Sequence, residues 1–131
     1  MHLLPFNLFF LNLSFMALGL YLSLGQKELR ANDFSDTDLL TGTIYTDEAK
    51  STAKNLTGYT LDILIYKEGG SVAFDKTATI VTAADGTFSY AIAENELPPQ
   101  GIYLIEIELT QSGQRISTFP EDLLISRSPN S

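Results

Sequence analysis

The segment Gly101 to Pro120, GIYLIEIELTQSGQRISTFP, sets the strongest constraint on what this chain can fold into. Tyr103, Ile105, Ile107 and Leu109 recur at period two, with Glu106 and Glu108 between them. A strand turns alternate side chains to opposite faces, so this pattern predicts one buried face and one wet face. Ser112-Gly113 follows, and the glycine tolerates the positive φ that a short hairpin needs. Arg115 to Pro120 then returns as a second strand. An antiparallel β module follows, and the rest of the chain must supply strands to cover it.

Further strands are legible in both directions. Leu39 to Thr46 is rich in β-branched and aromatic residues. Tyr59 to Lys67 places Tyr59, Leu61, Ile63 and Ile65 on one face. Val72 to Phe74 and Ala78 to Thr82 read as short strands, and Asp85-Gly86 as a hairpin turn. Thr87 to Ile92 points Phe88, Tyr90 and Ile92 inward and Thr87, Ser89 and Ala91 outward. Glu94 to Pro99 forms a corner that Pro98-Pro99 prevents from becoming a helix. Leu123 to Ser126 reads as a last edge strand. Gln26 to Asp38 and Asp47 to Thr57 read as polar loops. Turn signals every ~8–12 residues, with about seven or eight strands and no long amphipathic helix, predict an all-β, immunoglobulin-like antiparallel β-sandwich. A small barrel is the competing architecture.

Charge divides the chain. Residues 1–26 contain no Lys, Arg, Asp or Glu, and the net charge of −8 lies wholly in the remaining residues. An acidic body of about 105 residues is large enough for its own core. Its basic residues are scattered singly, which argues against nucleic acid as a partner, because phosphate contacts need clustered Lys and Arg. The chain has no cysteine, so disulfides and thiolate metal sites are excluded.

The apolar leader has three readings. Leu8 to Leu22 fits the hydrophobic region of a signal peptide, without a basic flank. Leu8 to Leu24 is a marginal membrane anchor, interrupted by Asn12, Ser14 and Gly19. In the third reading, Leu18, Leu20, Leu22 and Leu24 alternate with Gly19, Tyr21, Ser23 and Gly25 at strand period. That last pattern divides the chain into a leader over residues 1–17, a sandwich over 18–126 and a tail over 127–131. A membrane partner follows only if the leader is an anchor.

No catalytic constellation is visible. His2, in the leader, is the sole histidine, so neither a Ser-His-Asp nor a His-metal site can form in the body. Glu106 with Glu108, and Glu94 with Glu96, are carboxylate pairs of the kind glycoside hydrolysis uses. Solvation of a sheet face explains Glu106 and Glu108 without a cleft. Asp33, Asp36 and Asp38, with Asp47 and Glu48, offer oxygens to a hard cation. Their spacing matches no EF-hand loop, and aspartates capping turns in a solvated loop account for them. Asn12-Leu13-Ser14 and Asn55-Leu56-Thr57 are glycosylation sequons. Tyr45, Tyr59, Tyr66, Tyr90 and Tyr103 read as core packing with hydroxyls at the rim, against a sugar-stacking platform as the alternative. The expectation is a non-enzymatic protein with no catalytic, cofactor or metal residues.

The order of the short motifs carries a resemblance. Asn55 to Thr60, Lys67 to Gly70, Ala78 to Val81 and Asp85 to Tyr90 are followed by Gly101 to Glu108, Ser112 to Gln114 and Thr118 to Pro120. Together, over about residues 20–126, they resemble the amino-terminal immunoglobulin-like domain of phage upper baseplate and related tail proteins. That resemblance implies a virion structural domain of a phage tail, anchoring a receptor-binding or fibre component. It implies other tail or baseplate proteins as partners, homo-oligomerisation and no catalysis. An exposed sheet edge and the Asp33 to Asp38 loop are the candidate contact surfaces. The alternative is a secreted or membrane-anchored bacterial surface module, extracellular or at the cell surface, binding carbohydrate or protein through a sandwich-end loop.

Overall fold

A computed structural model of the chain describes residues 19–31 and 39–127. The leader over residues 1–17 lies outside the described residues. So do the first sequon at Asn12, the Asp33 to Asp38 loop and the last four residues of the tail.

Among the described residues, ten strands build two facing sheets. They are β1 (Tyr21–Leu24), β2 (Glu28–Ala31), β3 (Leu39–Tyr45), β4 (Thr60–Tyr66), β5 (Val72–Thr77), β6 (Thr79–Thr82), β7 (Thr87–Ala91), β8 (Gly101–Gln111), β9 (Gln114–Ser117) and β10 (Glu121–Arg127). The first sheet has the order β1-β3-β7-β6, and the second β2-β10-β8-β4-β5, with β9 also paired to β8. The first order is the A-B-E-D sheet of an immunoglobulin sandwich. The second is its G-F-C sheet, extended by β2 beyond G and by β5 beyond C.

Period-two burial produces this arrangement. Leu22, Leu40, Ile44 and Phe88 of the first sheet meet Leu61, Ile63, Ile65, Ile105, Ile107, Leu109, Leu123 and Ile125 of the second, all at most 1% exposed. Burying a side chain of this kind contributes roughly 1.5–3 kcal/mol. Alternation also fixes register, since a slip of one residue would turn the whole inner row to water.

The chain contains more strands than the sequence reading, for local reasons. Glu28–Ala31, taken as part of a loop, pairs in parallel with β10, so β10 is an interior strand rather than an edge. The β6–β7 link is a 3-10 turn, Ala83–Asp85, closed by Gly86 in the left-handed region at φ 70°. The β8–β9 hairpin matches its expectation closely. Ser112 and Gly113 both take positive φ, 50° and 81°, as a type I′ turn requires.

Two polar groups fasten the strand that closes the second sheet. The Tyr103 hydroxyl donates to the Pro99 carbonyl at 2.6 Å, the tyrosine-corner arrangement at the start of the strand equivalent to F. Thr118 is the one buried polar residue among those described. Its N–H donates to the Ile107 carbonyl at 2.9 Å, and the Ile107 N–H donates to its hydroxyl at 3.0 Å. The side chain thus carries the ladder across the break between β9 and β10, where Phe119 N–H turns to the Leu20 carbonyl of the other sheet at 2.9 Å. Thr118→Val keeps the shape but strands the Ile107 N–H. It should cost about 1–3 kcal/mol, and Thr118→Ser much less, in urea unfolding. Equal midpoints for the two variants would contradict this role.

Candidate functional site

The two outer faces of the sandwich differ in charge. Outward positions of the first sheet are Tyr21 and Ser23 on β1; Thr41, Thr43 and Tyr45 on β3; Thr87, Ser89 and Ala91 on β7; and Thr79 and Val81 on β6. None is charged. Strand register sets these groups in rows. Tyr21 stands opposite Tyr45, Ser23 opposite Thr43 and Thr43 opposite Thr87, while Thr41 and Thr79 flank Ser89. Neighbouring strands lie about 4.8 Å apart, so the hydroxyls form a close lattice.

A shallow groove of about 530 Å³ runs over this lattice, with Ser23, Thr43, Val81, Thr87 and Ser89 among its lining residues. Two glycines shape it. A Cβ on Gly42 would lie 2.6 Å from the Phe88 ring, and a Cβ on Gly25 would lie 2.2 Å from the Thr41 hydroxyl. Past the end of β1, Gly25 N–H donates to the Thr41 carbonyl at 2.8 Å, and Thr41 N–H to the Gln26 side-chain carbonyl at 3.1 Å. Thr87 accepts a hydrogen bond from Thr82 N–H at 3.0 Å, which holds the irregular end of β6. The hydroxyls of Ser23, Thr41, Thr43 and Ser89 make no hydrogen bond to another described residue. They are available to a ligand as paired donors and acceptors.

The second sheet turns Glu28, Arg30, Asp62, Asp75, Glu106, Glu108 and Asp122 outward. The carboxylates singled out in the sequence have partners there or at the sandwich corners. Glu106 accepts from the Tyr66 hydroxyl, and Glu108 lies 3.6 Å from Arg115. Glu96 caps the corner, accepting from Ala93 N–H at 2.9 Å and the Tyr90 hydroxyl at 2.6 Å, with Lys76 at 3.8 Å. Glu94 is exposed beside it. Asp47 accepts from Ser51 N–H at 3.1 Å, Thr52 N–H at 3.0 Å and the Ser51 hydroxyl. These bonds, the Ser51 hydroxyl first, lower its pKa. Among the described residues, no group of three or more His, Cys, Asp or Glu side chains could hold a metal ion. No described helix is long and apolar enough to cross a membrane.

The tyrosines are dispersed. Tyr59 lies under Lys54 at 5.1 Å, Tyr90 packs edge-on against Phe74 at 5.7 Å, and Tyr103 lies under Lys67 at 5.4 Å. Only Tyr45, beside Tyr21, borders the hydroxyl face. Tyr66 and Tyr90 are each pushed up to about 12, by desolvation first, then by the hydrogen bond to a carboxylate and its negative charge. The folded chain therefore holds these phenol protons more tightly than the unfolded chain. Their stabilisation is complete below about pH 10 and declines as pH rises towards 12. In an ultraviolet tyrosine titration, Tyr66→Phe and Tyr90→Phe should each remove one late-ionising phenol. An unchanged late phase in both variants would contradict the assignment.

Comparison with known proteins adds little to this geometry. No family model matches the chain, and no curated protein matches it. Among solved structures it is similar to CopC from Methylosinus trichosporium OB3b, with a TM-score of 0.47 and 11% identity, over 86% of this chain and 98% of that one. The expected membership of the phage baseplate family is corrected by these findings, and the virion role and location inferred from it fall with it. Leu-Thr-Gly and Asp-Gly-Thr are turn-forming sequences common in β proteins. Gly58 and Gly86, for example, both adopt positive φ. Their order follows the strand order of the sandwich. The fold assignment rests on that strand order itself.

Proposed function

We propose that this chain is a non-catalytic recognition module, secreted or held at a cell surface, that binds a neutral glycan on the outer face of its first sheet. The observation that carries this reading is the charge contrast. A chain of net charge −8 keeps Ser23, Thr41, Thr43, Thr87 and Ser89 together, and among the described residues no outward strand position of this sheet is charged. An uncharged polyhydroxyl ligand can exchange its water for these hydroxyls without desolvating an ion. At one end of the lattice stand Tyr45, half-buried, and Tyr21, whose ring packs against Phe119 at 5.1 Å. On this reading the ligand surface is a sheet face, where the sequence suggested a sandwich-end loop. The apolar character of residues 1–17 supports export.

Calorimetry against a panel of neutral and anionic oligosaccharides tests the reading. A neutral member should bind, and Thr43→Glu or Ser89→Lys should weaken it at least about tenfold, or 1.4 kcal/mol. Glu106→Gln, on the opposite sheet, should leave affinity unchanged. Absence of binding to every neutral member, or equal loss on both faces, would contradict the reading. Export has its own test in the mature amino terminus. Leu20 and Leu22 belong to the core, so processing should fall ahead of Gly19 and leave β1 intact.

A further inference from the structure

Given the glycan reading, on which this inference rests, we propose that Phe119 is the stacking platform of the site. The ligand is then an oligosaccharide laid across the strands from Val81 to Phe119. Among the described residues, two of the exposed large apolar side chains stand at opposite margins of the hydroxyl face, Val81 at 60% exposure and Phe119 at 47%. Val81 lines the groove over Thr43 and Ser89. The others, Val72, Ile102 and Leu124, belong to strands of the second sheet.

Phe119 lies outside the buried core, yet it is held in place. Its N–H donates to the Leu20 carbonyl at 2.9 Å, and the bridge from Leu20 to Thr118 sets its segment beside β1 as a further row. The Tyr21 ring packs against it at 5.1 Å with the planes 45° apart, so it does not lie flat on the Phe119 face. Gly19 makes room for the ring, since a Cβ there would lie 2.1 Å from it. Pro120 follows and restricts the backbone. A ring ordered before binding loses little freedom on contact, and its exposed surface suits the C–H groups of a sugar. A pocket of about 490 Å³ beside it is lined by Tyr21, Glu48, Lys50, Phe119 and Glu121. Carboxylates accept from sugar hydroxyls, and the ammonium donates to them. Two carboxylates against one ammonium disfavour an anionic sugar, so this pocket selects the same neutral class as the hydroxyl rows.

The rows also set a length. β6, β7, β3, β1 and the Phe119 segment lie side by side. Four spacings of about 4.8 Å separate the outer two, or about 19 Å. A ligand that touches both margins is therefore longer than a disaccharide.

Calorimetry with the cello-, xylo- and malto-oligosaccharide series, each from disaccharide to hexasaccharide, tests the proposal. Within a series that binds, affinity should climb with length. Phe119→Ala should weaken the hexasaccharide at least about tenfold and flatten the dependence on length, while Phe119→Trp should retain both. Gly19→Ala keeps the ring but displaces it, and should also weaken the hexasaccharide, which keeps the role testable should Phe119→Ala fail to fold. A hexasaccharide that binds the wild type and both alanine variants equally would overturn the proposal and leave the glycan reading standing. So would equal affinity for disaccharide and hexasaccharide. Silence across all three series would overturn the proposal, and silence across the whole neutral panel would overturn the glycan reading with it.

Discussion

Gly86→Ala should remove about 2–5 kcal/mol of stability, combining a left-handed backbone cost with backbone overpacking. Gly86 adopts φ 70° and is buried. A Cβ there would lie 2.6 Å from the Ile44 carbonyl oxygen and 2.9 Å from that of Lys54. Neither atom can yield easily. Ile44 N–H donates to the Gly86 carbonyl at 2.9 Å, and Lys54 N–H to the Ile44 carbonyl at 2.8 Å, so the three segments are tied together. Leu56 N–H adds a bond to the Ala83 carbonyl at 2.9 Å. The long loop after β3 is thus moored on the 3-10 turn before β7. Gly113 is the control. It has φ 81° but nothing within 4 Å of its added Cβ, so Gly113→Ala should cost only the backbone part, about 1–2 kcal/mol. Thermal unfolding followed by circular dichroism separates the two. Equal losses would mean that the close approach of Ile44 and Lys54 is not what constrains Gly86.

Phe88→Ala should cost about 3–5 kcal/mol, the range for emptying a large aromatic site in a core. Phe88 is 1% exposed and reaches across the register to Gly42. Its ring occupies the space a Gly42 side chain would need, with ring atoms 2.6 and 2.7 Å from that Cβ. The two residues are therefore one volume shared between adjacent strands. Gly42→Ala alone should destabilise by forcing the ring off its rotamer. Combined with Phe88→Leu, it should recover part of the loss, with a coupling of about 0.5–3 kcal/mol in a double-mutant cycle. Strictly additive losses would separate the pair. The cycle also bears on the ligand face, since Gly42 and Phe88 both lie along the floor of the groove above Ser23 and Thr43.

Much of this fold is legible in the sequence because burial imposes period two. Tyr103 to Leu109 and Leu61 to Ile65 declare their inner rows, and Ser112-Gly113 declares its turn. Glu28–Ala31 was missed although Leu29 sits between Glu28 and Arg30. Four residues next to an acidic loop give too little pattern, and the strand exists because β10 accepts it in parallel. Asp85-Gly86 signals the turn, but the link is a 3-10 turn, since Gly86 answers to Ile44 and Lys54 rather than to a two-residue hairpin.

The candidate face was only half legible. Thr87, Ser89 and Ala91 alternate visibly with inward Phe88 and Tyr90, so their outward aim is local information. Their meeting with Thr41, Thr43 and Ser23 depends on β7 pairing with β3 and β3 with β1, across long stretches of chain. Glu106 and Glu108 drew attention because carboxylates are conspicuous. Hydroxyls in a charge-free patch are not, and their significance appears only beside the acidic opposite sheet.

On the proposed function, the outer face of the first sheet is where this chain meets its ligand. Amide chemical-shift mapping during titration with the tightest-binding neutral oligosaccharide tests it most directly. The account predicts saturable shifts at Ser23, Thr41, Thr43, Thr87 and Ser89, with Glu106, Glu108 and Asp62 unmoved. Shifts confined to the second sheet or to the loop after β3, with the hydroxyl rows silent, would contradict it.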